Sequence, residues 1–353
     1  MDLEPITLPG VDPKRPIMIA GPCSAESEEQ VIQTAHSLAS QGIKIFRAGI
    51  WKPRTKPGSF EGVGLAGLPW LKRVKAETGM YVATEVASRD QVGAALAGGI
   101  DILWVGARTT VNPFAVQEIA GALRSIDIPV LIKNPVNPEL ELWVGAIERF
   151  HRVGLRRIGA IHRGFSSHEK KVFRNEPLWH LPIELRYEIP NLPVFCDPSH
   201  ITGKREFVPL VSQQAMDLNF DGLMIETHPD PATAMSDAKQ QMTPDELEKL
   251  LKSLIVRDEN RPGEKLSSLR DRIDHIDEQL LDLLAERMRV SCEIGTYKKE
   301  HNMPVLQSTR YNEIIEERMR LGCNKSLNSQ FVREILLEIH EESVRQQMAV
   351  MTE

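Results

Sequence analysis

Residues 17–47, IMIAGPCSAESEEQVIQTAHSLASQGIKIFR, hold the unit whose repetition decides the fold. The apolar run at 17–21 reads as a strand, the amphipathic pattern over 27–41 as a helix, and the run at 43–47 as a second strand. The same alternation recurs downstream. Further strands are predicted at 81–85 (YVATE), 101–105 (DILWV), 129–133 (PVLIK), 156–161 (RRIGAI), 193–197 (PVFCD) and 221–226 (DGLMIE). Helices are predicted at 68–78, 89–98, 113–126, 138–153, 205–219 and 244–257. The stretch 164–190 breaks the rhythm: it is charged, contains Pro177 and Pro182, and shows no helical pattern. Eight strands alternating with helices over about 250 residues predict an α/β fold of the (β/α)8 TIM barrel type. A doubly wound open sheet is the rival, but no G-x-G-x-x-G follows a strand.

The rest of the chain follows different rules. Of 23 glycines and 23 prolines in 353 residues, only Gly295, Gly322 and Pro304 lie beyond residue 264. The division expected is a barrel at 1–257, a polar linker at 258–264 (DENRPGE) and an all-α three-helix domain at 265–353. With 41% hydrophobic and 26% charged residues the composition is globular, which excludes disorder and collagen. A net charge of −6 argues against a basic nucleic-acid footprint, so no nucleic-acid partner is expected. No apolar run is long enough to span a membrane, and the acidic, proline-bearing start MDLEPITLPG is not a signal peptide. Four scattered cysteines (Cys23, Cys196, Cys292, Cys323) make no disulfide framework, so a cytoplasmic location is expected.

Active sites of (β/α)8 barrels lie at the C-terminal ends of the strands. Those ends carry Cys23, Arg47, Glu85, Arg108, Lys133, Arg163, His200 and Glu226, one ionisable or metal-binding side chain per strand. One such residue is an ordinary loop charge; eight together are a site. Four are cations in an acidic protein, so they call for a polyanionic ligand, and Arg matches phosphate and carboxylate with a planar fork. The Gly- and Pro-rich run WKPRTKPGSFEGVG (51–64) adds Lys52, Arg54 and Thr55, as a phosphate clamp or as a plain surface loop. Cys23, His200, Glu226 and Asp237 suit zinc or another first-row divalent metal by donor type, although their spacing carries no metal signature.

GPCS (21–24), FRAGIWKPRT (46–55), VGART (105–109), LIKNP (131–135), HRG (162–164), DPSH (197–200) and IETHPDP (225–231) resemble the compact barrel subgroup of the 3-deoxy-D-arabino-heptulosonate 7-phosphate (DAHP) synthases. The resemblance covers residues 15–257. It implies condensation of phosphoenolpyruvate with erythrose 4-phosphate, the first step of the shikimate pathway. It implies Cys23, His200, Glu226 and Asp237 as ligands of a divalent ion (Mn2+, or Zn2+, Co2+ or Fe2+). It implies Arg47, Lys52, Arg108, Lys133 and Arg163 as the phosphoenolpyruvate site, with Lys133 as proton donor or charge stabiliser. Arg54 and Thr55 are implied as the clamp on the erythrose 4-phosphate phosphate group. A five-carbon aldose phosphate is the alternative substrate. The stretch 162–176, HRGFSSHEKKVFRNE, departs from the family pattern after its first three residues. The first predicted strand lies at 17–21, so the N-terminal regulatory extension of some members is not expected here.

From Leu266 a heptad pattern runs through Ile273, Leu280, Arg287 and Ile294, with Leu269, Ile276, Leu283, Val290 and Tyr297 as the second set. It predicts a helix of about 35 residues ending before Pro304. Two more helices are predicted at 308–321 and 327–349, with Asn324 and Ser326 marking the turn between them. Three such helices do not bury a core easily as a monomer, so an intertwined homodimer, or a higher oligomer, is expected. Arg287 occupies a seam position that should be apolar. It needs a local partner such as Asp282 or Glu286, or a bound anion. Lys298 returns to within about 20° of its face, whereas Arg270 points about 100° away, toward a site in a partner subunit. Ser343 and Gln347 share one face of the last helix.

LRDRIDHIDEQLLDLLAERMRVSCEIGTYKKE (269–300) and ESVRQQ (342–347) resemble the all-helical chorismate mutases. The resemblance implies a bifunctional enzyme whose second reaction rearranges chorismate to prephenate. It implies Arg287, Lys298 and the partner's Arg270 gripping the carboxylates and ether oxygen, with Ser343 and Gln347 as the other polar contacts. Gln307 and Tyr311 stand around Arg310 where the family has acidic residues. The alternative for this domain is a dimerisation and sensing module that lets prephenate or chorismate inhibit the barrel allosterically.

Overall fold

The computed structural model describes residues 1–52, 58–167, 172–257, 264–306 and 308–352, with only the backbone course at 264 and 308–315. Two compact units result, Met1–Arg257 and Asp258–Glu353.

The first unit is a closed barrel of eight parallel strands in sequence order. They are β1 (Ile17–Gly21), β2 (Ile45–Arg47), β3 (Tyr81–Val86), β4 (Ile102–Val105), β5 (Val130–Lys133), β6 (Ile158–His162), β7 (Val194–Cys196) and β8 (Gly222–Glu226). The barrel closes through β1 and β8, with Ile19 opposite Met224 and Gly21 opposite Glu226. Parallel strands are buried on both faces, which is why they read as continuous apolar runs. Ile19, Ile45, Ala83, Ile102, Trp104, Leu131, Ile161, Phe195 and Met224 fill the interior, with Leu8 of the N-terminal segment packed against them. Gly21 shows why the first turn needs glycine: its φ is +146°, and a Cβ there would lie 2.1 Å from the Arg47 carbonyl oxygen.

The helices begin where the sequence offers caps. The Ser27 hydroxyl accepts from the Gln30 N–H, Asn112 caps the helix Pro113–Ala122, and Thr243 with Glu246 forms a reciprocal capping box. One helix escaped the sequence reading: His180–Glu188 lies inside the stretch where none was predicted. Pro182 sits in its first turn, where the missing N–H has no partner to lose. Two short helices, Ala107–Thr110 and Pro198–Thr202, follow β4 and β7 directly and are too brief for a periodic signal.

Among the described residues the second unit has three helices, Glu264–Glu300, Ser308–Asn324 and Ser329–Thr352. Gly295 lets the first and last approach closely, since a Cβ there would meet the Gln347 Cα at 3.1 Å. The heptad seam itself stays open. Leu266, Leu269, Ile273, Ile276, Leu280, Leu283, Val290, Ile294 and Tyr297 are each 43–62% exposed.

Candidate active site at the barrel mouth and a second site in the helical unit

The loop after β1 brings the Cys23 thiol to 3.3 Å from Asp237 Oδ2, and Asp237 lies on the loop after β8. Glu226 ends β8. Ligand atoms of Cys23, Glu226 and Asp237 all fall within 4.8 Å of one another. His200, on the short helix after β7, places Nε2 3.6 Å from Glu226 Oε1 and Nδ1 2.8 Å from Asp197 Oδ2. A carboxylate behind an imidazole in this way fixes which ring nitrogen faces a ligand. Burial, with Glu226 and Asp237 adding, pushes the Cys23 thiol up to about 12. Burial also opposes the Asp237 charge, yet His200, Arg174 and Lys52 hold that carboxyl well below the usual range. A thiol and two carboxylates within 4.8 Å of one another, with the His200 imidazole beside Glu226, are donor types that fit a first-row divalent cation.

Beside this cluster lies a pocket lined by Lys52, Glu85, Arg108, Lys133, Arg163, Arg174, His200 and Asp237 among others. Five cations face two carboxylates, so the lining favours anions. Lys133 Nζ donates to Asp197 Oδ2 at 2.7 Å; burial pulls its pKa down although Asp197 pulls the other way. Burial, with Arg174 and Arg108 nearby, lowers Arg163 to about 10. Arg163 Nη1 donates to Asn175 Oδ1 at 2.9 Å. Lys52 Nζ donates to the Cys23 carbonyl at 2.8 Å and reaches its sulfur at 3.2 Å. Arg47 lies deeper, 1% exposed. It is stacked 4.9 Å from the Trp104 ring and bonded to Glu226 Oε1 at 3.2 Å. Its Nε and Nη1 are buried with no hydrogen-bond partner among the described residues.

Lys52, Arg108, Lys133, Arg163, His200 and Asp237 therefore meet at the pocket, with Cys23, Arg47 and Glu226 beneath it. Arg54 and Thr55 lie outside the described residues. Sequence reasoning gave no role to Asp197, Arg174, Asn175 or Gln240. Asp197 stood inside the DPSH motif, beside a residue already singled out. Arg174 and Asn175 stood in the stretch without periodicity.

In the helical unit, Arg287 Nη1 donates to Ser343 Oγ and to the Ile339 carbonyl at 3.4 Å. Asp282 and Glu286 are not the partners it uses in these bonds. Lys298 Nζ donates to Gln347 Oε1 at 2.9 Å and to the Val305 carbonyl at 2.6 Å. Ser343 and Gln347 are buried. Burial and the charge of Arg318 lower Arg287; burial lowers Lys298; burial, Arg287 and Lys298 lower His340. Arg270 is exposed, 17 residues before Arg287, which is about 25 Å along a helix. Gln307 and the side chains of Arg310 and Tyr311 lie outside the described residues.

Fold and site together define a (β/α)8 barrel with an anion-binding mouth beside a metal-ligand cluster, followed by a helical unit with a cationic site. The chain belongs to the DAHP synthetase I family, which residues 7–260 match, and residues 269–348 match chorismate mutase type II. The DAHP synthetase I family is generally metal-dependent, and Cys23, Glu226 and Asp237 form a candidate site. The phospho-2-dehydro-3-deoxyheptonate aldolase of Thermotoga maritima is 37% identical over 225 residues. The match covers 64% of this chain and 64% of that relative, so the chain spans less than two thirds of its length. The 2-dehydro-3-deoxyphosphooctonate aldolase of Polaromonas naphthalenivorans is 30% identical, covering 68% of this chain and 90% of its own. Among solved structures, a DAHP synthase crystal structure from Thermotoga maritima superposes with a TM-score of 0.60 at 32% identity, covering 67% of each chain. Among the described residues no helix is long and apolar enough to cross a membrane.

Proposed function

We propose that the barrel joins phosphoenolpyruvate to erythrose 4-phosphate, and that the helical unit converts chorismate to prephenate. The observation that carries the first reading is the cationic pocket opening onto the thiol, imidazole and carboxylate cluster. Phosphoenolpyruvate bears a carboxylate and a phosphate, and Arg108, Arg163, Lys52 and Lys133 supply the cations to hold both. Its C3 attacks the aldehyde carbon of the sugar, water adds at C2, and inorganic phosphate leaves. Cys23, His200, Glu226 and Asp237 would hold a divalent metal. When bound, that ion supplies Lewis acidity and a fixed orientation for the aldehyde. Lys133 Nζ, buried against Asp197, holds a proton it can deliver. Arg163 is kept in place by Asn175. Fixing both anions converts a bimolecular encounter into a nearly unimolecular one.

The octonate aldolases, matched over 90% of their length, support a second reading in which a five-carbon aldose phosphate is the acceptor. One assay separates these. Phosphoenolpyruvate loss should depend on erythrose 4-phosphate, run faster than with arabinose 5-phosphate, stop on chelation and fall steeply in Cys23→Ala. Turnover unaffected by chelator and by Cys23→Ala would refute the metal site.

For the helical unit, Arg287 and Lys298 beside buried Ser343 and Gln347 make a donor-rich site for a dicarboxylate, and the rearrangement needs only a held conformer and stabilised charge. The open seam supports a second copy as its cover, which brings the partner's Arg270 to the site and makes the active form a homodimer.

A further inference from the structure

The loop between β6 and β7 carries two adjacent residues to which the reaction above gives no more than a supporting contact, and both reach into the ligand cluster. Arg174 Nη1 donates to Asp237 Oδ1 at 2.9 Å and to Gln240 Oε1 at 2.8 Å. Gln240 passes the contact on, donating through Nε2 to Glu226 Oε2 at 2.7 Å. Asn175 Nδ2 donates to the His200 carbonyl at 2.6 Å, while its Oδ1 accepts from Arg163. Two of the four proposed metal ligands are thus held at their carboxylates, directly or through one amide, and a third, His200, at its backbone carbonyl, by a single dipeptide.

The dipeptide is itself pinned. The Arg174 N–H bonds the Thr202 carbonyl at 3.2 Å, and the Asn175 N–H bonds the Ile201 carbonyl at 3.0 Å. Phe165 and Glu176 exchange two 2.8 Å backbone hydrogen bonds that close the base of the loop. Gly203, at φ +66°, leaves room for the Arg174 stem, since a Cβ there would lie 2.6 Å from the Arg174 Cβ. The consequence is directional. With Oδ1 taken by Arg174, Asp237 turns Oδ2 to the thiol at 3.3 Å. With Oε2 taken by Gln240, Glu226 turns Oε1 toward His200 Nε2.

We propose that Arg174 and Asn175 are positioning residues that preset the metal-ligand geometry and tie it to the substrate-facing Arg163. The proposal rests on the metal-site reading above. Partners behind the ligands orient and tune them, and losing one typically costs 10–100-fold in metal affinity.

The test uses the full chain, stripped of metal and titrated with Zn2+ against a chromophoric chelator. Wild type should bind one ion per barrel, and Cys23→Ala should lose that site. Arg174→Ala should bind about 10–100-fold more weakly, and Arg174→Lys should recover part of the loss. The Arg174 side chain is 42% exposed, so the unfolding midpoint of metal-free Arg174→Ala should stay near that of wild type. A merely structural role would instead move that midpoint and leave the affinity alone. Affinity of Arg174→Ala within about twofold of wild type, against the tenfold minimum expected, overturns the clamp while leaving the metal site standing. Wild-type affinity in Cys23→Ala overturns the metal site, and the clamp with it.

Discussion

In the barrel, cations meet carboxylates of the same chain: Arg47 with Glu226, Lys133 with Asp197, Arg174 with Asp237. In the helical unit, Arg287 and Lys298 donate to a hydroxyl, an amide oxygen and backbone carbonyls, all neutral. A closed barrel has no unpaired edge and encloses its own interior, so one chain can surround a charged site and pay the desolvation of its ions internally. Three helices with nine seam residues open to solvent cannot do this alone. The contrast supports the proposal that the first site is built within one chain while the second is completed by a substrate's carboxylates and a second copy.

The largest effect that would break this comparison is on the mutase. Arg287→Ala removes the donor to Ser343 and a cation with no counter-ion among the described residues, so chorismate turnover should fall by about 10²–10³. Arg287→Lys should recover little, because the planar fork is lost. A loss below about tenfold would show that Arg287 is a structural seam charge rather than a substrate contact.

A smaller effect sharpens the barrel side. His162 is buried among the rings of Trp143, Phe165, Trp179 and Phe220, and burial lowers its pKa to about 3. The native ring therefore stays neutral while the unfolded one takes a proton near pH 6.5. Between those values the unfolded chain binds more protons, so this contribution is fully present above pH 6.5 and is lost as pH falls toward 3. The slope is at most about 1.4 kcal/mol per pH unit. All five tryptophans lie in residues 51–179, so tryptophan fluorescence follows the barrel alone during denaturant titrations. His162→Phe should flatten the acid slope, whereas an unchanged slope would assign the acid sensitivity to other groups.

The sequence was most legible where one physical rule dominated. Strands buried on both faces had to be apolar runs, so all eight were found, with every end within two residues of the observed one. The strand-end charges were legible because barrel topology sends those positions to one mouth. The long helix was legible through its heptads, and Arg287 through its violation of them. What was missed has equally local causes. The helix at 180–188 was hidden by Pro182, which is harmless in a first turn. Arg174 and Asn175 were hidden because a loop has no period. Their importance lies in where Ile201, Thr202 and Gly203 fold back against them, and no spacing in the chain announces that.

The claim that one site is whole and the other shared is tested most directly by mixing two inactive mutases, Arg270→Ala and Arg287→Ala, unfolding and refolding them together. If Arg270 acts across the dimer, each mixed dimer regains one intact site, and random pairing restores about a quarter of wild-type mutase activity. If both arginines serve a site within one chain, no mixed dimer has an intact site, and the mixture stays as inactive as its parents.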